Sequence, residues 1–131
     1  MKIHHIGIAT KSLEAGLAVW RDTLGLELDS VEEVKEQGVR VGMMAVGDTH
    51  VELLEALSPD SAVGKFIAKR GPGIHHIAIE VKDIRQSLTE LKNKGARLID
   101  ENPRVGAGGC LVAFVHPSTT NGVLLELVQH Q

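Results

Sequence analysis

The feature that most constrains this chain is an internal repeat. The segment Lys2-Ile3-His4-His5-Ile6-Gly7-Ile8-Ala9-Thr10 returns as Gly73-Ile74-His75-His76-Ile77-Ala78-Ile79-Glu80-Val81. Each half also closes on an apolar run holding one glutamate, Val51-Glu52-Leu53-Leu54 in the first and Leu125-Glu126-Leu127-Val128 in the second. His5 and His76 stand 71 positions apart and Glu52 and Glu126 stand 74 apart, the offset left by a three-residue indel between duplicated modules. Two histidines and two carboxylates therefore recur at equivalent places. The recurrence points to a metal site at a pseudo-twofold axis.

Within the first copy, Ile3 to Ala9 alternates as a β-strand, so that His5 shares a face with the small residues Gly7 and Ala9 and opposes Ile6 and Ile8. Ser12 is a suitable N-cap, and Leu13, Leu17, Trp20 and Leu24 follow at helical spacing until Gly25 stops the turn. Leu26 to Glu36 reads as an acidic, solvated edge strand. Val39 to Val46 and His50 to Leu54 read as strands joined by a hairpin turn at Gly47-Asp48. Ser58 to Arg70 is a connector with a short helix, and Arg70-Gly71-Pro72-Gly73 is the clearest linker signal.

The second copy repeats the order. Its strand Ile74 to Val81 leads to Asp83 as N-cap, a helix carrying Ile84, Leu88 and Leu91, and Gly95 at the stop. A strand near Arg97 to Asp100 is expected next, then a final pair, Cys110 to Val115 and Val123 to Val128. The predicted fold is α+β: two tandem βαβββ modules, residues 1–57 and 73–131, with a connector at 58–72. Together they form one compact domain, a curved, mixed eight-stranded barrel-like sheet around the metal site.

Composition narrows the function. Basic and acidic residues interleave to a formal net charge of −3, and only three aromatic residues (Trp20, Phe66, Phe114) occur, so neither the electrostatics nor the stacking platforms of nucleic-acid binding are present. No apolar run approaches the length of a membrane span, and no signal-peptide core is visible at the N-terminus. The single cysteine, Cys110, cannot form an internal disulfide. A cytoplasmic protein without nucleic-acid or membrane partners is the expectation.

The chemistry rests on the repeated positions. Imidazole nitrogens and carboxylate oxygens suit borderline or hard divalent ions, and two carboxylates neutralise a dication. Helical His-Glu-x-x-His and paired-cysteine patterns are absent, so a site must be assembled from distant strands. His4 and His75 alternate to the other face and read as packing or polar-bonding positions. His50 shares a face with Glu52 and is a candidate for orienting a ligand. His116, before Pro117, reads as a turn residue. The glycine loop Arg104-Val105-Gly106-Ala107-Gly108-Gly109 precedes a strand, not a helix, and so is no dinucleotide fingerprint. It remains either a pocket border or a flexible connection. Lys65, Lys69 and Arg70 are basic and clustered; a solvated helix end accounts for them.

With these pieces in place, the chain resembles the vicinal oxygen chelate superfamily over nearly its whole length. His4 to Ala9 and Gly73 to Ala78 carry the superfamily likeness. The ending from Gly106-Ala107-Gly108-Gly109 through His116-Pro117 to Asn121-Gly122-Val123-Leu124-Leu125-Glu126-Leu127 resembles its methylmalonyl-CoA epimerase family. That resemblance implies His5, Glu52, His76 and Glu126 as ligands of a divalent ion (Co, Ni, Mn, Zn or Mg), with Glu126 and Glu52 also moving protons. It further implies an acyl-CoA substrate, epimerisation through an enolate, and a homodimer. Some epimerases resemble this pattern with glutamine at the position of Glu52. Some also place a further glutamate in the strand that here reads Gln37 to Met44, where no carboxylate stands. Two other readings use the same fold: a glyoxalase-type isomerase acting on a thiol hemithioacetal, and a metal-free binding or resistance protein.

Overall fold

The structure is a computed structural model describing residues 1–131. The chain divides into two compact units, one of His5–His75 and the other of Met1–His4 with His76–Gln131. The first module comprises β1 (Lys2–Thr10), α1 (Leu13–Leu17), β2 (Leu28–Val34), β3 (Val39–Val46) and β4 (Thr49–Ala56), followed by the connector helix α2 (Ala62–Arg70). The second comprises β5 (Gly73–Glu80), α3 (Ile84–Asn93), β6 (Arg104–Val105), β7 (Leu111–Val115) and β8 (Leu125–Gln129). Both modules have the βαβββ order expected of the α+β fold.

Each module forms a mixed sheet with the same plan. In the first the strand order is β2-β3-β4-β1, antiparallel except that β4 runs parallel to β1. In the second the order is β5-β8-β7-β6, again antiparallel except for the parallel pair of β5 and β8. First and last strands of a module are thus neighbours. Parallel neighbours cannot be joined by a tight turn, and the helix and two strands between them make the crossover.

Both module helices are docked by the same polar device. Ser12 and Asp83, 71 positions apart, cap α1 and α3 by accepting from the amides of Ala15 at 3.1 Å and Gln86 at 3.0 Å. The first helical amide, of Leu13 or Ile84, donates to a side chain of the last strand, Glu55 or Gln129. Those acceptors are 74 positions apart, like Glu52 and Glu126. Apolar packing completes the docking. Leu13 and Leu17 pack with Met44, Val51 and Leu53, while Ile84 and Leu88 pack with Val81, Ala113, Val115 and Leu127. Gly16 lets α1 approach closely, since a Cβ there would lie 2.8 Å from Thr10 and 3.0 Å from Leu53.

Two local expectations are corrected. The helix after Ser12 is α-helical only to Leu17; Ala18–Thr23 widens into a π-helical stretch, where the Leu24 amide donates to Val19 five residues back. The wider turn rotates Leu24 off the apolar stripe and leaves it 62% exposed, whereas Leu13 and Leu17 stay buried. The strand expected at Arg97 to Asp100 is reduced to one bridge, Leu98 with Val115, because the Ile99 and Asp100 amides both converge on the Phe114 carbonyl. The ladder resumes only at β6. The hairpin between β3 and β4 matches expectation: Val46 pairs with Thr49 across a two-residue loop whose first residue, Gly47, has φ of 60°.

A glycine in α2 provides a test of this packing. Gly→Ala in a helix ordinarily stabilises by about 1 kcal/mol. At Gly64 a Cβ would lie 2.4 Å from the Ser58 carbonyl oxygen and 2.8 Å from that of Pro59. These are backbone atoms that cannot rotate away, so overpacking of about 1–3 kcal/mol outweighs the propensity gain. Gly64→Ala is expected to lower the urea midpoint; a raised midpoint would show that the connector relaxes freely.

Candidate metal centre

The parallel registers place each repeated histidine against its glutamate. In the first module Gly7 of β1 stands opposite Glu52 of β4, and His5, two residues earlier, meets Glu52 on the diagonal. His5 Nδ1 lies 3.1 Å from Glu52 Oε2. In the second module Ala78 of β5 stands opposite Glu126 of β8, and His76, again two residues earlier, meets Glu126 with Nε2 3.5 Å from Oε1. All four residues are buried, at 3–4% exposure. On the parallel side, the residue opposite each glutamate is glycine or alanine. A larger side chain there would fill the space into which the diagonal histidine reaches.

The apolar neighbours hold this register. Val51 and Leu53 flank Glu52 and pack with α1, while Leu127 beside Glu126 packs with α3. A one-residue slip of either last strand would turn its glutamate to the helix-packed face and its leucine away from it. Phe114 adds a restraint in the second module. It pairs with Glu126 across β7 and β8, and its ring meets the His76 ring edge-on, with centroids 5.5 Å apart and planes at 86°. The sequence pattern does not single out Phe114, because β7 and β8 are joined by a nine-residue connection, residues 116–124, and the register across it cannot be read locally.

The remaining histidines separate by role. His75 packs edge-on against Phe66 of α2 at 5.0 Å, a packing position as expected. His116 organises its turn, with Nδ1 accepting from the Ser118 amide at 3.0 Å. His50 is half-buried and stands opposite His5 in the β1–β4 ladder. His4 is buried and its ring lies near that of His130, with centroids 5.1 Å apart. In the glycine loop the Gly106 amide donates to the Cys110 carbonyl at 2.8 Å, and Gly108 and Gly109 take φ of 69° and 74° to reverse the chain before β7. Arg70 places its guanidinium over the Phe66 ring at 5.7 Å.

Each module thus buries one imidazole beside one carboxylate, an arrangement that costs free energy unless the groups serve one another or a ligand. Imidazole nitrogen and carboxylate oxygen are donors for divalent ions of the zinc, cobalt, nickel or manganese type, and their chemistry fits such an ion. A carboxylate so placed can also accept a proton. No helix is long and apolar enough to cross a membrane.

Comparison with known proteins gives a consistent picture. A model of the Glyoxalase/Bleomycin resistance protein/Dioxygenase superfamily matches residues 4–114. The ethylmalonyl-CoA/methylmalonyl-CoA epimerase of Cereibacter sphaeroides is 39% identical over 130 residues, covering 98% of this chain and 97% of the relative. Among solved structures, methylmalonyl-CoA epimerase from Mycobacterium tuberculosis superposes with a TM-score of 0.95 at 34% identity, covering 99% of this chain and 88% of that one. A variant of the Streptomyces coelicolor methylmalonyl-CoA epimerase in complex with 2-nitronate-propionyl-CoA superposes with a TM-score of 0.93 at 40% identity, covering 98% and 94%.

A pair kept for a ligand differs measurably from one kept for stability. Glu126→Gln preserves shape and leaves an amide oxygen able to accept from His76. In metal-stripped protein it is expected to change unfolding free energy by less than about 1 kcal/mol. A loss of about 3–5 kcal/mol in urea titration, the cost of breaking a buried ion pair, would make the pair structural.

Proposed function

The chain belongs to the glyoxalase/bleomycin resistance protein/dioxygenase superfamily, and we propose that within it the chain is a methylmalonyl-CoA epimerase, interconverting the R and S forms of methylmalonyl-CoA. The observation that carries the chemistry is the buried His–Glu diagonal repeated with one register in both modules. We propose that His5, Glu52, His76 and Glu126 together hold one divalent cation. Two imidazoles and two carboxylates offer four N and O ligands whose charges balance a dication. A bound cation there supplies Lewis acidity, favouring the negative charge that develops on the substrate's oxygens.

The reacting carbon lies between a thioester and a carboxylate, and its proton is weakly acidic. Epimerisation removes that proton from one face and returns one to the other. Each module supplies one buried carboxylate, and in this reading Glu126 accepts the proton while Glu52 delivers one from the opposite face; the roles exchange in the reverse direction. Burial keeps water from competing with both carboxylates. Phe114 holds the His76 ring edge-on, which limits the freedom of the side chain beside Glu126. The chain has no carboxylate between Gln37 and Met44, and in this reading the proton work is assigned to Glu52 and Glu126.

The test is proton exchange with methylmalonyl-CoA in deuterated water, using metal-stripped protein before and after reloading with Co(II). Metal-dependent deuterium at the α-carbon is expected, with Glu126→Ala slowing it by about 10²–10⁴-fold, the usual contribution of a positioned acid or base. Absence of exchange in folded, reloaded protein would overturn the reading and direct attention to thiol-adduct substrates. Reloading has an independent readout. At a free ion concentration a hundredfold above Kd, binding adds about 2.7 kcal/mol of stability. His76→Ala is expected to lose most of that gain in a thermal melt, and an equal gain in the variant would exclude His76 as a ligand.

A further inference from the structure

Four residues beyond the His76–Glu126 pair, on the same two parallel strands, the same residue types recur with their places exchanged. Glu80 ends β5, and His130 follows the end of β8, with Glu80 Oε1 2.9 Å from His130 Nε2. Four strand residues span roughly 13 Å, so this is a separate location from the first pair. The other ring nitrogen, His130 Nδ1, lies 3.4 Å from Cys110 Sγ. The β7–β8 register brings this about: Leu111 pairs with Gln129, so the residues just outside the ladder, Cys110 and His130, meet. His4 completes the group. One ligand atom from each of His4, Cys110 and His130 lies within 4.8 Å of the other two.

We propose that His4, Cys110 and His130 form a second metal site, selective for a borderline cation of the Zn(II) type, with Glu80 orienting His130. Four physical features support the assignment. The donor set is two imidazoles and a thiolate, softer than the carboxylate-rich set assigned to catalysis. Zn–S and Zn–N bonds of about 2.3 and 2.0–2.1 Å place S and N ligands of one tetrahedral ion roughly 3.5 Å apart. The observed 3.4 Å between Cys110 and His130 already matches that edge. The Glu80 carboxylate accepts from His130 Nε2–H, which leaves the Nδ1 lone pair directed at Cys110, the carboxylate–histidine–metal relation. His4 and Cys110 are 7% and 5% exposed, while the His130 side chain is 61% exposed and provides the entry path.

Binding would release the Cys110 thiol proton to solvent, and the thiolate with the Glu80 carboxylate would balance the dication. Because the ligands come from the first strand, the start of β7 and the end of β8, the ion would tie the N-terminal residues to the C-terminal ones. The role is structural and independent of the epimerase reading.

The single cysteine makes the test specific. Metal-stripped, reduced protein is titrated with Co(II), and the near-ultraviolet thiolate-to-cobalt charge-transfer band is followed. The ligands assigned to catalysis carry no sulfur, so this band reports on Cys110 alone, whatever becomes of the epimerase proposal. The band is expected to saturate in the wild type at the intensity of one cobalt–thiolate bond per chain, to bleach on addition of Zn(II), and to be absent from Cys110→Ser. His130→Ala should weaken Co(II) binding at the site at least tenfold and Glu80→Gln about tenfold, the usual effect of removing an orienting partner. Circular dichroism is the check that each variant is folded. No band at saturating Co(II) in folded wild type would overturn the proposal, and so would a band unchanged by His130→Ala.

Discussion

The structure depends on the diagonal approach of a histidine on the first strand to a glutamate on the last strand of each module. That approach requires two parallel strands to be neighbours, and parallel neighbours require a crossover. The helix and the two antiparallel strands of each βαβββ unit are that crossover. Most of the chain is therefore the connection that brings His5 to Glu52 and His76 to Glu126. The small residues Gly7 and Ala78 opposite the glutamates belong to the same constraint, because the diagonal is open only where the direct partner is short.

Site and core are coupled through strand alternation. Along β4 and β8 one face carries the glutamate and the other carries leucine or valine packed under a helix. Leu53 cannot leave the core without turning Glu52 away from His5, nor Leu127 without turning Glu126 away from His76. The helices are pinned from the same strands, by Glu55 under Leu13 and Gln129 under Ile84. Each last strand thus carries a ligand candidate, a core residue and a helix anchor within five positions. With few aromatic side chains available, aliphatic packing in small clusters opposes the cost of burying imidazoles and carboxylates.

Local signals were read correctly where local chemistry decides the outcome. Ser12 and Asp83 announced helix starts because a short polar side chain before an apolar run is a capping group, and Gly47 announced a hairpin because its φ is positive. The pattern misleads where hydrogen bonds depart from the regular ladder. Leu13, Leu17, Trp20 and Leu24 have α-helical spacing, yet the π-helical stretch removes Leu24 from the stripe. The run from Arg97 to Asp100 has strand character, but two adjacent amides share the Phe114 carbonyl and the ladder does not propagate. Parity alone makes His4 a packing or polar-bonding position and does not say what it meets. Its nearness to Cys110 and His130 follows from strands separated by more than a hundred residues of chain.

What the amino-acid sequence determined by itself is the duplication and all that a repeat entails: two βαβββ modules, equivalent His and Glu positions, and alternation that puts each glutamate opposite a core residue. These follow from periodicity and composition, which act within a few residues. Tertiary structure alone decided the registers: Gly7 against Glu52 and Ala78 against Glu126, Phe114 edge-on to His76, and Cys110 beside His130. Strands distant in sequence can pair in many ladders of similar local energy. Only the simultaneous burial of Leu53 under α1 and of Leu127 under α3 selects the ladder that places the polar side chains together.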